Sequence, residues 1–335
     1  MDIELQAAFD EFSVIAVWSA ITLYLLAFLA FAYDLSQRAS AATIKQRETV
    51  LVGIAGSAPP SARNGAGERS LRVPGAERSR RYFARLGIAF TALGFALHLA
   101  ATVTRGIAAE RVPWANMYEF ALIGTLLIVA VYLVVLRWYD LRFLGVFIVG
   151  MVVFFLGGST LSFYVEVTPL MDPLKSIWLI IHVFVASLAT ALFAIGAGLS
   201  TMQLLQARRE RLKAADGEAV APDRGYLRTL PKADALETAA YRFAILGFIF
   251  WTFTLIAGSI WANDSWGRYW GFDVKEVWTF VIWVVYAGYI HARATRGWRG
   301  TRSAWLSLVG FAAVIFNFTI VNLFFKGLHA YSGIS

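Results

Sequence analysis

Trp261-Ala-Asn-Asp264-Ser-Trp266-Gly-Arg268-Tyr269-Trp270-Gly-Phe272-Asp273-Val-Lys275-Glu276-Val-Trp278 lies between two long apolar runs, 241–262 and 276–294. The stretch sets four tryptophans, a tyrosine, a phenylalanine and five charged side chains close together. Ordered charges among aromatic rings, held beside a membrane, suit a flat apolar ligand that carries acidic groups. The flanking runs decide the fold. About 20 consecutive apolar residues cross a hydrocarbon core as a helix, and this chain has eight such runs, near 14–33, 86–104, 118–136, 143–162, 178–203, 241–262, 276–294 and 303–325. They are too long for barrel strands and lack their alternation. The expectation is an all-α polytopic membrane protein with about eight transmembrane helices, residues 1–335 forming one membrane domain.

Composition agrees. Of 335 residues, 59% are hydrophobic and only 16% charged, with a mean hydropathy of +0.61. That balance belongs to membrane proteins. The net charge of +8 need not mean nucleic acid, because the basic residues follow topology. Cysteine is absent, which excludes disulfides, thiolate metal sites and cysteine nucleophiles; any thiol must come from a partner. The Met-Asp2-Ile-Glu4 start lacks the basic region of a secretory signal, so the first apolar run is expected to remain as a span.

Cytoplasmic connections carry excess Lys and Arg. Alternate connections (38–85, 137–142, 208–242 and 293–302) hold 24 of the 30 basic residues. Both termini and the tryptophan-rich loop, 261–278, are therefore expected on the outer, periplasmic-type side. The segment 34–85 reads as a mobile basic cytoplasmic loop. A second cytoplasmic loop, 206–240, starts helical, and Pro222 and Pro231 argue against one continuous helix.

Three of the four histidines sit at informative depths. His182 is about one turn into the fifth run, and His329 follows the eighth, both at the level of the tryptophan loop. Imidazole is a common axial ligand for haem iron, and two at one depth can bind it from opposite faces. A single interfacial histidine can instead bond to lipid or backbone. His291 lies near the inner end of the seventh run among arginines, and His98, in Leu97-His98-Leu99, reads as a packing histidine. Trp114, Trp138, Trp178 and Trp298 suit a headgroup-level belt. Trp266, Trp270 and Trp278 exceed a belt, because Gly267 and Gly271 between them let backbone approach a planar ligand closely. Arg268 and Lys275 suit propionates. Asp273 and Glu276, three apart at a helix start, suit a cap.

The run Trp266-Gly-Arg268-Tyr269-Trp270-Gly-Phe272-Asp273-Val-Lys275-Glu276-Val-Trp278 resembles the tryptophan-rich "WWD" signature of haem-handling membrane proteins. The whole chain resembles the CcsA/ResC family, a subunit of the system II cytochrome c synthetase. The resemblance implies that His182 and His329 hold an external haem, and that His291 belongs to a possible inner haem site. Asn116 and Glu119, in Pro113-Trp-Ala-Asn116-Met-Tyr118-Glu119, match the family's external asparagine–tyrosine–glutamate motif and join the implied haem contacts. It further implies haem b as substrate and ligand, a ResB-type membrane subunit and apocytochrome c as partners, no nucleic acid, and a bacterial cytoplasmic membrane, with a thylakoid-type membrane as the alternative. The implied role is haem export and presentation for thioether attachment to a Cys-x-x-Cys-His segment, within a complex needed for activity. Phe272 stands where the family usually has Trp, and Val274 where it commonly has Pro. Phe272 keeps a stacking face but lacks the indole N–H. Three other readings compete: a haem exporter or chaperone-loading protein without ligation, a bis-histidine b-type electron carrier, and a channel or transporter, for which no internal repeat speaks.

Overall fold

A computed structural model describes residues 2–56, 74–167, 172–216, 225–295, 297–325 and 327–328. His329 and Lys326 lie outside these. Among the described residues, nine α-helices follow in order: α1 (Ile3–Gly56), α2 (Pro74–Ala109), α3 (Met117–Val135), α4 (Gly145–Ser162), α5 (Ile177–Asp216), α6 (Ala233–Trp266), α7 (Val274–Thr295), α8 (Thr301–Phe318) and the short α9 (Ile320–Phe324). The described residues contain no strand, and the protein is an all-helical, multi-pass membrane protein.

Seven helical segments among the described residues are long and apolar enough to span a membrane, including Met117–Val135, Ile177–Ala215 and Thr301–Phe324. The eight-run expectation differs at α7. Its 22 residues suffice in length, but Lys275, Glu276, His291 and Arg293 at its ends dilute its apolarity. It still runs the length of the bundle. Its first turn lies at the tryptophan loop, and Arg293 in its last turn pairs at 3.1 Å with Glu237 of the α6 start.

The long helices exceed their apolar runs. α1 continues to Gly56 and α2 begins at Pro74, so both flanks of the expected 34–85 loop are helical. Residues 34–56 hold four alanines and no proline, so the helix can continue through them, although their charged and polar residues end the apolar run. The expected break after the fifth run is present: α5 ends at Asp216, a 3₁₀ turn covers Gly225–Thr229, and α6 starts at Ala233.

α1 packs chiefly on α2, and α5 on α6, with α3 and α4 between these pairs and α7 and α8 against α5 and α6. One apolar core joins α1 through α6 around Tyr24, Phe31, Leu122, Leu144 and Ile195. A second joins α5 through α8, with Phe193 stacked on Tyr286 at 3.7 Å. Buried charge pins each end. At the loop end, the fully buried Arg105 of α2 reaches Asp10 of α1, Glu119 of α3 (3.1 Å) and the Val165 carbonyl (2.6 Å). At the other end, Glu237 accepts from Arg293, the Gly300 N–H (2.7 Å) and Gln203 (3.3 Å). Paired and hydrogen-bonded on all sides, such charges specify register, and losing one partner strands the rest.

Candidate functional site

The tryptophan loop is built by two helix ends. α6 closes at Gly267, whose left-handed backbone (φ 70°) lets its N–H reach the Asn263 carbonyl at 2.9 Å. α7 opens with a reciprocal cap. Asp273 Oδ2 accepts the Lys275 N–H at 3.3 Å, and Glu276 Oε2 accepts the N–H groups of Asp273 (3.1 Å) and Gly271 (2.8 Å). This is the Asp-x-x-Glu capping box that the spacing implied.

Between the caps, Tyr269 and Phe272 stand largely exposed, and Phe272 holds a left-handed backbone (φ 57°) that costs a non-glycine residue free energy. Trp270 makes edge contacts with Phe272 (6.2 Å) and Phe280 (6.4 Å), while Trp278 packs on Phe316 at 4.4 Å. The space beside Gly271 holds the Arg268 guanidinium, which folds back towards the Gly271 carbonyl. Ligand approach to backbone is thus open at Gly267, where a Cβ would meet nothing within 4 Å among the described residues, and filled at Gly271.

His182 sits beneath the loop, where two cavities meet. Its Nδ1 is 2.9 Å from the Thr254 carbonyl of α6. A carbonyl only accepts, so Nδ1 carries the proton and the lone pair resides on Nε2. The ring stacks on the buried Trp261 (6.0 Å, 21°). Gly258 makes this packing possible, since a Cβ there would lie 2.6 Å from the imidazole Cε1.

The upper cavity, about 470 Å³, is lined by His182, Trp261, Tyr269, Trp270, Lys275 and Glu276 among others. The lower, about 930 Å³ and mostly apolar, runs between α3 and α8 past Phe120, Phe155, Trp251 and Asn317. His182, Thr254, Lys275 and Thr279 line both. Asn317 is 7% exposed, and its Oδ1 has no partner among the described residues. A polar atom left open in a lipid-depth cavity is costly, so it marks a place where a ligand or water completes the bonding.

Other expected residues lie elsewhere. Asn116 caps α3, its Oδ1 accepting the Glu119 N–H at 2.9 Å. The fully buried Glu119 carboxylate accepts from Arg105, Arg111 (2.7 Å) and the Ala115 N–H (2.8 Å). Neither lines the upper or the lower cavity. Lys275 does, but its ammonium is bonded to Asn322 and lies 5.8 Å from the Phe120 ring centre, apart from the exposed Arg268. His291 is exposed at the far end of α7. His98 is a packing histidine: Nε2–H donates to the Leu122 carbonyl (2.9 Å), and Nδ1 is 3.3 Å from the Tyr24 hydroxyl. The belt expectation fails for Trp114, which is buried with Trp261, Leu174 and Leu179 in a cluster under the loop; Trp178 packs on that cluster and stays partly exposed.

Residues 114–329 match the family described as cytochrome C assembly protein. The chain is 35% identical over 240 residues to the cytochrome c biogenesis protein CcsA of Guillardia theta, covering 68% of this chain and 79% of that protein. It is 32% identical over 286 residues to the CcsA of Synechococcus sp. (strain JA-3-3Ab), covering 71% and 83%. In fold it is similar to the solved structure of the cytochrome c heme lyase CcmF (TM-score 0.61, 15% identity), across 92% of this chain but only 46% of that one. The tryptophan loop and His182 both fall within the residues that the family model matches, and haem, the group carried by every c-type cytochrome, is the ligand such a family handles. The chain belongs to the cytochrome c assembly protein family, among the CcsA-type proteins of cytochrome c biogenesis.

Proposed function

We propose that this protein presents haem b at the outer face of a bacterial cytoplasmic membrane for attachment to apocytochrome c, with a ResB-type subunit as its partner. The observation that carries the reading is His182: Nδ1–H is fixed on the Thr254 carbonyl, and the ring lines both cavities. Orienting one ring nitrogen through a backbone acceptor raises the basicity of the other, as in histidines that bind iron. His329, the implied second axial ligand, lies outside the described residues.

The proposed orientation puts the tryptophan loop and both termini outside, following the 24-to-6 division of Lys and Arg. In this reading Trp261, Trp266 and Trp270 wall the porphyrin, while exposed Tyr269 and Phe272 leave an edge accessible to a thiol-bearing chain. A cysteine S–H then adds across a haem vinyl C=C; carbon gains sulfur and hydrogen, and nothing leaves. The chain supplies no cysteine, so its contribution is to fix the reacting edge in place. Arg268, exposed in the tryptophan loop, is suited to a propionate. His291 is the candidate for an inner site. A b-type electron carrier would need an inner histidine pair, and His98 has both ring nitrogens engaged.

The test is an absorption spectrum of the complex purified in detergent, beside His182→Ala and His329→Ala. The expected result is a low-spin haem spectrum in the parent and an altered or lost one in both variants, with the protein still in the membrane. Unaltered haem and normal cytochrome maturation in both would overturn the assignment.

A further inference from the structure

We propose that Asp273 and Lys275 are positioning residues which hold, from the first turn of α7, the short arm of chain that ends at Leu328, immediately before His329. The inference rests on the reading of His329 as an axial ligand, and it changes the part given to Lys275 from a propionate contact to an arm anchor.

The eighth span ends in a short arm. α8 runs to Phe318 and α9 covers Ile320–Phe324, the two joined across Thr319 by the Leu323 N–H bond to the Thr319 carbonyl (3.0 Å) and by Asn322 Nδ2–H on the Phe318 carbonyl (2.7 Å), before an extended Phe325 (φ −108°, ψ 121°) takes the chain out of the helix. Beyond Phe325 no helical bonding holds the described residues. Two bonds from the α7 start flank this exit, one on each side. The Lys275 ammonium donates to Asn322 Oδ1 within α9. Asp273 Oδ1 accepts the Leu328 N–H at 3.0 Å.

The Asp273 carboxylate is thus divided between two tasks, Oδ2 capping α7 through the Lys275 N–H and Oδ1 holding the arm. The approach is tight: a Cβ at Gly327 would collide with that same Oδ1. Both anchoring residues lie inside the tryptophan loop, and Lys275 also lines the two cavities with His182. The platform for the ligand plane and the arm leading to the second histidine therefore share one rigid origin.

Two substitutions separate this role from helix capping and from general damage. Asp273→Ser keeps a side-chain acceptor for the cap but is too short for Leu328. Asn322→Ala removes both the Lys275 contact and the bond to the Phe318 carbonyl, whereas Asn322→Asp keeps the acceptor for Lys275 and loses only the Phe318 bond. Hydrogen–deuterium exchange of the 320–328 segment in the full-length protein reads the arm directly, with or without haem. The expected result is exchange faster by about tenfold or more in Asp273→Ser and Asn322→Ala, and parent-like in Asn322→Asp and His182→Ala. In the purified complex the first two variants should shift the haem spectrum in the direction of His329→Ala, and Asn322→Asp should not. Unchanged exchange in both loosened variants would overturn the anchoring, leaving the haem reading intact. Faster exchange with an unchanged spectrum would overturn the positioning role. A parent complex without haem would overturn the proposed function, and this inference with it, even where exchange reported the two anchors.

Discussion

Two regions at the loop end of the bundle use the same kinds of side chain in opposite ways. Between α1, α2 and α3, His98, Arg105 and Glu119 are fully buried, and each makes its bonds within the protein. His98 engages both ring nitrogens. Arg105 spreads over Asp10, Glu119 and the Val165 carbonyl. Between α5, α6, α7 and α8, His182 is bonded through Nδ1 to a backbone carbonyl and borders two cavities, and Asn317 retains an acceptor without a partner among the described residues. Closed polar networks at membrane depth hold helices in register. An open acceptor such as Asn317 Oδ1 is costly until something binds. The difference separates scaffold from site more cleanly than residue type does, because a histidine appears in each.

The comparison breaks most readily at Glu119. Its carboxylate neutralises Arg105 and Arg111, so Glu119→Ala should strand buried cationic charge and cost about 3–5 kcal/mol. Thermal unfolding in detergent should fall sharply, and any haem loss should follow the loss of folded protein. A parent-like melting temperature combined with lost haem would move Glu119 from scaffold to site. His98→Leu is the next step down. It orphans the Tyr24 hydroxyl, at about 1–3 kcal/mol, and should leave the haem spectrum of the folded fraction unchanged. An altered spectrum there would collapse the distinction between the two histidines.

Much of this is legible in the sequence. Hydropathy locates the helices because a spanning segment must satisfy its backbone internally, and the Asp273-x-x-Glu276 spacing announces a capping box because the geometry is local. His182 stands out by its depth. Partnership across the bundle was not legible. Nothing near Glu119 in sequence shows that Arg105, fourteen residues earlier, and Asp10 on another helix close around it. Hydropathy gives Trp114 an interfacial depth without saying that Trp261 rather than lipid covers it. Lys275 reads as a propionate ligand until Asn322, 47 residues on, is seen to take its ammonium. The helical continuation of α1 to Gly56 escapes a search for apolar runs because charged and polar residues from Asp34 to Thr49 interrupt its apolar ones.

The smallest effect should come from the open region itself. Phe272 is 79% exposed and sits at φ 57°, so it buries little and carries backbone strain of about 1–3 kcal/mol. Phe272→Gly removes that strain but frees the unfolded chain by about 0.5–1 kcal/mol, and it loses one edge contact with Trp270. These terms nearly cancel. The melting temperature should therefore hold steady or rise slightly, the reverse of the Glu119 result. If the exposed ring is part of the haem platform, haem retention in the purified complex should nevertheless fall by several fold. A variant that melts higher and keeps all its haem would mean that the strain at Phe272 serves no ligand, and the open region would contract to His182, the tryptophans and the two cavities.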